Sequence, residues 1–386
     1  MNFLLGFSAF MAFFYVPWDF FLKPVSQDEE VWLGFVLTGW WAKASEPLHW
    51  ALYAAGTYGF WRMRPWMWPW AAVYTAQIAV GMAVWNVRNI GGVWGWLGGL
   101  VVFAILTGLT YVLWRARELF RRSRVSLRER YGEWALVTGA SAGIGAEFAR
   151  ALAREGLSCV LVARREHRLR RLATDLEEEF SVATRIVVAD LARADETKQI
   201  ADAVADLEIA VLVNNAGVGY AGRFSKQAVA RLRDMIELNC TAALQLTHHF
   251  LAGMQERRRG AVIFVGSVAG HQPVPLRTLY SATKAFERFF GDALWAEMRG
   301  TGIDVLSVEP GTTQTAFQRS AGEVTHPGQP PTAVVRDALD ALGQQPAVVS
   351  GWLNWLRSLG VRVLPRSVSA LLAQQVVARW TPEEMR

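Results

Sequence analysis

The sequence predicts two architectures in one chain: an all-α transmembrane region, then a doubly wound α/β domain built on a parallel sheet. Three observations predict them. Residues 66–87 and 89–114 carry no charged side chain, and each run exceeds the roughly 20 apolar residues that cross ~30 Å of hydrocarbon. From Trp134 onward, short β-rich apolar runs alternate with helical stretches. Of 18 Trp, 13 lie in residues 1–120 and 5 in the rest, so the two parts are written for different solvents. The 386 residues divide into a transmembrane region 1–114, a basic linker 115–131, an α/β domain 132–345 and an amphipathic tail 346–386. With 52% hydrophobic and 19% charged residues, against roughly 25% charged in ordinary globular chains, the composition excludes a disordered or fibrous protein.

In the first region, residues 3–22 form an apolar run broken by Asp19. A cleaved signal needs a basic start and small residues at its end. Here Asn2 and Phe3 follow Met1, and Tyr15-Val16-Pro17-Trp18 stands where small residues belong, so the run reads as a retained helix. Residues 31–42 and 47–61 make either one long kinked helix or an interfacial piece followed by a span. Residues 66–87 and 89–114 read as a helical hairpin turned at Arg88, Gly91 and Gly92, which brings the expected count to four spans. Lys43, Glu46 and His49 read as a charged interfacial loop; the alternative is a polar site at membrane depth. Trp66, Trp68, Trp70, Trp94 and Trp96 suit the headgroup zones.

The net charge of +6 is concentrated, because residues 115–130 hold seven Arg against Glu118 and Glu129. The run directly follows an apolar segment, so it reads as a cytoplasmic membrane anchor and not as a nucleic-acid surface. The Arg62/Arg64 loop lies one hairpin away on the same side, which puts everything after residue 115 in the cytoplasm. Cys159 and Cys240 have no ligand or partner at metal spacing, so neither a metal site nor a disulfide is expected. His248-His249 reads as a helix surface.

The expected strands are Trp134–Thr138, Ser158–Ala163, Thr184–Ala189, Ala210–Asn214, Gly260–Gly266 and Asp304–Glu309. The first runs into Thr138-Gly139-Ala140-Ser141-Ala142-Gly143-Ile144-Gly145, with helical residues after it. Glycines 139, 143 and 145 permit a tight turn and close approach of backbone to a pyrophosphate at a helix N-terminus. Arg164 and Arg165 end the second strand, where an acidic residue would bind a ribose 2′-hydroxyl. Arg pairs with a 2′-phosphate instead, which favours NADP(H) over NAD(H). Position 142 is Ala and not a base, so the two arginines carry that phosphate, Arg164 being the firmer assignment.

Six elements now fall in one order: Thr138–Gly145, Asn214-Asn215-Ala216-Gly217, Asn239, Ser267, Tyr280-Ser-Ala-Thr-Lys284 and Pro310-Gly311. This pattern resembles the short-chain dehydrogenase/reductase family over roughly residues 132–345. The resemblance implies a single Rossmann-like domain holding coenzyme and substrate sites together. It implies that Lys284 reaches the nicotinamide ribose and that Asn239 holds a water linking Lys284 to solvent. By position it places Asp190 and Leu191 at the adenine, and Asn215, Ala216 and Gly217 along the adenosine. It places Pro310 and Gly311 beside the nicotinamide, with Thr313 and Thr315 next, although an apolar residue is commoner at Thr313. Relatives often pair through helices, so a homodimer is one expected state.

The chemistry follows from the side chains as well. Hydride transfer to a carbonyl leaves an alkoxide that needs a proton. A Tyr four residues before a Lys on one helix shares its face, so the Lys284 ammonium favours loss of the Tyr280 proton. Tyr280 then serves as general acid or base, and Ser267 at a strand end stabilises charge on the substrate oxygen. His271 reads equally as a substrate neighbour or an exposed loop residue. Phe317–Pro331, rich in Gly, Pro and Thr, reads as a mobile lid. The basic tail with Trp352, Trp355 and Trp380 reads as an interfacial helix on membrane lipid, or alternatively as a cover for the cleft or a dimer face. Tethering a reductase to a bilayer suits a lipophilic substrate of acyl, sterol or isoprenoid type. The competing expectation is a membrane transport or scaffold module whose reductase domain senses redox or coenzyme state.

Overall fold

Polar residues decide where the N-terminal helices break. The computed structural model describes residues 2–32, 35–61, 67–115, 125–193, 195–324 and 326–386, which form two units, Met1–Arg124 and Val125–Arg386. In the first, the leading apolar run is helical over Asn2–Phe10 and Val16–Leu22, joined by a π-turn at Met11–Tyr15 just before Pro17. Residues 31–42 depart from both helical expectations. They contribute to an antiparallel hairpin of β1 (Glu29–Trp32) and β2 (Phe35–Thr38), and the helix Trp40–Trp61 starts after Gly39 at φ +60°. His49 holds the hairpin, since its ring stacks on Trp32 at 4.1 Å and its Nδ1 lies 2.8 Å from Glu30 Oε2.

Lys43 and Glu46 are buried, which corrects the expected charged loop. Lys43 Nζ lies 3.1 Å from Asp28 Oδ2 and 3.2 Å from Glu46 Oε1, while Lys23 Nζ lies 2.9 Å from Asp19 and 3.1 Å from Asp28. Each ammonium sits between two carboxylates, which offsets the cost of taking these charges out of water. The helices Met67–Asn89 and Gly92–Arg115 turn at Gly91 and Gly92, both at positive φ, as the sequence predicts. Gly95 lets their backbones meet, because a Cβ there would stand 2.8 Å from the Asn86 carbonyl oxygen. Against four expected spans, one helix among the described residues is long and apolar enough to cross a membrane by length and composition: Gly92–Arg115, with mean hydropathy 2.0. The other helices carry Asp19, the Lys43/Glu46 pair, or Gln77 and Asn86. Arg62, Arg64, Trp66 and residues 116–124 of the basic run lie outside the described residues.

In the second unit the strands are β3 (Trp134–Thr138), β4 (Ser158–Ala163), β5 (Thr184–Val188), β6 (Ile209–Asn214), β7 (Gly260–Val265), β8 (Ile303–Glu309) and β9 (Ala347–Val349). They pair in parallel in the order β5-β4-β3-β6-β7-β8-β9. Every residue of β4, β6 and β7 is buried, which is why these strands read as continuous apolar runs. Phe148, Leu152, Leu169, Leu176 and Val334 fill one side of the sheet beneath Gly143–Arg154, Glu166–Phe180 and Pro331–Ala341. Leu246, Phe250 and Leu294 fill the other beneath Ala242–Arg257 and Thr278–Glu297. The short helix Leu127–Tyr131 is pinned to β8, since the Tyr131 hydroxyl and the Arg130 guanidinium each donate to Asp304 Oδ2 at 2.7 Å. The strand order reverses between β3 and β6, so their C-terminal ends open a crevice suited to a ligand.

Candidate active site

The crevice begins at the glycine turn after β3. Gly139 and Gly143 have φ of +67° and +60°, conformations that only glycine adopts without strain. A Cβ at Gly145 would stand 2.5 Å from the Gly139 carbonyl oxygen, so the helix Gly143–Arg154 docks against the turn only with hydrogen there. Thr138 Oγ1 accepts hydrogen bonds from the backbone N–H groups of Asn215 (2.9 Å) and Ala216 (3.0 Å), and Asn215 Nδ2 donates to the Thr138 carbonyl at 2.8 Å. These bonds lock the ends of β3 and β6 together. The N-cap, Ala142, offers no side-chain oxygen to the first N–H groups of the helix. Those free donors and the positive end of the helix dipole suit an anion. The turn therefore fits a dinucleotide pyrophosphate.

Arg165 reaches over this turn, donating to Ser141 Oγ from Nε at 3.2 Å and from Nη2 at 2.8 Å. Burial, then repulsion from Arg168 and Arg164, pushes its guanidinium below the ordinary arginine value. An anion placed there would relieve that repulsion. Arg164 turns instead toward Asp190, with Nη1 3.7 Å from Oδ2. The structure thus puts Arg165 nearer the turn than Arg164, the reverse of the order the sequence favours. Strand ends direct neighbouring residues to opposite faces, and which face looks at the turn is invisible in an Arg-Arg pair.

The reacting end lies across the sheet. Tyr280 and Lys284 are buried on the helix Thr278–Glu297, with Lys284 Nζ 5.9 Å from the centre of the phenol ring. Nζ donates to the Val265 carbonyl at 2.9 Å and to both Glu287 oxygens at 3.0 and 2.9 Å. Burial opposes the Lys284 charge, but the Glu287 carboxylate outweighs it and holds the ammonium above its ordinary value. Burial pushes the Glu287 carboxyl up to about 7 against the pull of Lys284. Ser267 lies two residues past β7 and caps the turn Val268–His271, where its Oγ accepts from the Ala269 N–H at 3.1 Å. Asn239 sits in a π-turn, Glu237–Thr241, fully buried. It clamps Val218 through both backbone groups at 2.9 Å and donates to Thr283 Oγ1 at 3.0 Å.

One cavity of about 1000 Å³ joins these groups. Of the residues the sequence singles out, Gly139, Ser141, Gly143, Ile144, Arg164, Arg165, Asp190, Leu191, Asn215, Ala216 and Gly217 line its coenzyme side. Ser267, Tyr280, Lys284, Pro310, Gly311, Thr313 and Thr315 line the rest. Thr138, Gly145 and Asn239 do not line it; they brace its wall from behind. Thr315 folds back onto the turn, where a Cβ at Gly143 would meet its methyl at 2.9 Å. The Thr313 hydroxyl is used internally, donating to the Gly311 carbonyl at 3.0 Å.

Further wall residues come from the loop after β7, the segment 317–331 and the tail. Phe317 packs on the Tyr280 ring at 5.5 Å. His271 is a half-buried cleft residue with an enclosed side chain and not an exposed one, with Nε2 2.6 Å from Glu309, which Arg288 also holds at 3.0 Å. The tail helices Trp352–Val363 and Arg366–Ala378 close the cavity through Asn354, Val361 and Ala373, with Leu364 in the link between them, so one of their faces covers the cleft. Trp355, Leu356 and Leu371 stay exposed on the other. The Lys284-x-x-Glu287 spacing was the available signal for Glu287, since residues three apart share a helix face.

The profile of the short chain dehydrogenases matches residues 133–325. A curated relative, the very-long-chain 3-oxoacyl-CoA reductase of Homo sapiens, is 34% identical over 255 residues, which is 65% of this chain and 81% of that protein. A solved 7beta-hydroxysteroid dehydrogenase superposes with a TM-score of 0.61 at 29% identity, covering 64% of this chain and 99% of its own. A short-chain dehydrogenase from Sphingobium yanoikuyae in complex with NADPH superposes with a TM-score of 0.54 at 33% identity, over 60% of this chain and 93% of its own.

Proposed function

The chain belongs to the short chain dehydrogenase family, and from that premise we propose that it is a membrane-anchored, NADP(H)-dependent reductase of a lipophilic carbonyl, a long-chain 3-oxoacyl thioester being the leading substrate class. The observation that carries the reading is one cavity running from the Arg165-covered glycine turn, past Ser267, Tyr280 and Lys284, to an apolar wall made by the tail. When bound, the coenzyme supplies the hydride. Tyr280 gives the proton to the nascent alkoxide. Ser267 Oγ donates to the same oxygen and spreads its charge. Lys284 keeps positive charge beside the phenol, and Asn239 holds the Val218 and Thr283 segments that shape this corner. The charge-poor helix Gly92–Arg115 supplies the anchor, with the catalytic unit in the cytoplasm. The name of the human relative supports the acyl class, and Val361, Leu364 and Ala373 offer an acyl chain its contacts.

The test is coenzyme-dependent turnover by the detergent-solubilised full chain across 3-oxoacyl thioesters of graded length, with NADPH and NADH compared. Turnover that rises with chain length and prefers NADPH is expected. Substituting Tyr280→Phe removes the proton donor and should cost at least 10²-fold, the ordinary worth of general acid catalysis. Turnover of small ketones alone would overturn the lipophilic reading.

A second reading rests on the buried Asp19, Asp28, Lys43 and Glu46 cluster of the N-terminal unit, with the half-buried Lys23 beside it. Buried ionisable groups in apolar helices often serve transport, and the reductase unit would then sense coenzyme state. Tyr280→Phe separates the two: a cellular phenotype that survives loss of turnover favours the sensor.

A further inference from the structure

Glu287 is a buried carboxylate that the reaction described above does not use. It is 3% exposed and three residues past Lys284, facing the back of the ammonium. Lys284 spends all three of its N–H donors here, two on Glu287 and one on the Val265 carbonyl. Glu287 Oε2 also lies beneath Gly266, where a Cβ would stand 3.9 Å away, directly before Ser267. The titratable groups that share this pocket are Tyr280 and Lys284 on the same helix and Cys240 on the neighbouring π-turn, with Glu237 acting on Cys240 from that turn. An ionised carboxylate this deep is costly unless paired, and Lys284 is its pair.

We propose, on the reading of the site given above, that Glu287 is a positioning residue: its carboxylate fixes the Lys284 ammonium and cancels part of the field that ammonium exerts on the Tyr280 phenol, so the phenol keeps the proton it donates to higher pH. A lone ammonium near a phenol eases loss of the proton. A counter-charge about 3 Å from that ammonium opposes the effect, since the two charges act on the phenol with opposite sign. The protonated phenol that carbonyl reduction needs therefore persists further into the alkaline range. Burial pushes Glu287 up to about 7, so the counter-charge is present across the alkaline range where a reductase loses its proton donor.

The experiment compares the full chain with E287Q and E287D, reading kcat/KM for NADPH-dependent reduction of a 3-oxohexadecanoyl thioester from about pH 6 to about pH 10. Removing the charge in E287Q should move the alkaline limb down by about one pH unit or more. Keeping it in E287D should restore the wild-type limb. An unmoved limb in an active E287Q overturns the proposal. If E287Q does not fold, E287M carries the same prediction with an apolar side chain suited to burial. Failure of both charge-free variants to fold while E287D folds overturns the proposal in favour of a purely structural pair. A wild-type chain that reduces no thioester with either coenzyme instead overturns the reading of the site, which keeps the two failures distinct.

Discussion

Replacing Arg165 with Ala should change which coenzyme the chain accepts, not whether it reacts. The guanidinium stands over the glycine turn on two hydrogen bonds to Ser141, and Arg164 and Arg168 crowd it with like charge. A coenzyme carrying the 2′-phosphate would give it an anionic partner. A hydrogen bond to a charged group contributes about 1.5–3 kcal/mol. Arg165 is exposed, so water competes and the lower end applies, about 1.5–2 kcal/mol. At about 1.4 kcal/mol per factor of ten, kcat/KM for NADPH should fall about 10–30-fold. NADH lacks the phosphate and should change by less than about threefold. Arg164 pairs with Asp190, so Arg164→Ala should cost NADPH less than Arg165→Ala does, and the double substitution should cost at least as much as Arg165→Ala alone. The assay is initial rates with each coenzyme at saturating thioester, with Ser141→Ala as a control for the arginine's support. An unchanged NADPH-to-NADH ratio in the double variant refutes the assignment of the phosphate to these residues.

Other perturbations read other parts of the site. Gly145→Ala forces a methyl into the Gly139 carbonyl, and overpacking of this kind typically costs about 1–3 kcal/mol, so both the melting temperature and coenzyme affinity should fall. Ala373→Trp narrows the apolar wall of the cavity and should raise KM for long 3-oxoacyl thioesters about tenfold or more, the loss of about 1.4 kcal/mol of contact, while leaving short ones unchanged. Burial pushes the Cys159 thiol up to about 12 and the Cys240 thiol up to about 11. The reactive thiolate is therefore scarce below those values, and neither cysteine should alkylate at about pH 8 in the native chain, whereas both should after denaturation.

What the sequence made legible is local. β3, β4, β6 and β7 are continuous apolar runs because both faces are covered, and Tyr280 and Lys284 are four apart because that spacing places them on one helix face. The glycine turn was legible for the same reason, since Gly139 and Gly143 take backbone angles that other residues avoid. What stayed hidden depends on partners distant in sequence. The β1–β2 hairpin is held by His49 against Trp32 and Glu30, and nothing within residues 29–38 announces that ring. His271 was ambiguous because its environment is Glu309, 38 residues away, which Arg288 also holds.

The tail shows where pattern reading stops. Amphipathicity says that one face of Trp352–Val363 wants an apolar neighbour and does not say which neighbour, so a bilayer and a cleft leave the same trace. The structure resolves this by giving the tail two faces, Val361 and Ala373 toward the cavity and Trp355 and Leu371 outward. The helices that would shield an acyl chain are then also those that could take it up from a lipid surface. Residues 346–381 hold Arg357, Arg362, Arg366 and Arg379 and no acidic residue, so the tail as a whole carries the sign an anionic bilayer attracts. A reductase with that arrangement would have no need to release its substrate into water between the membrane and Tyr280.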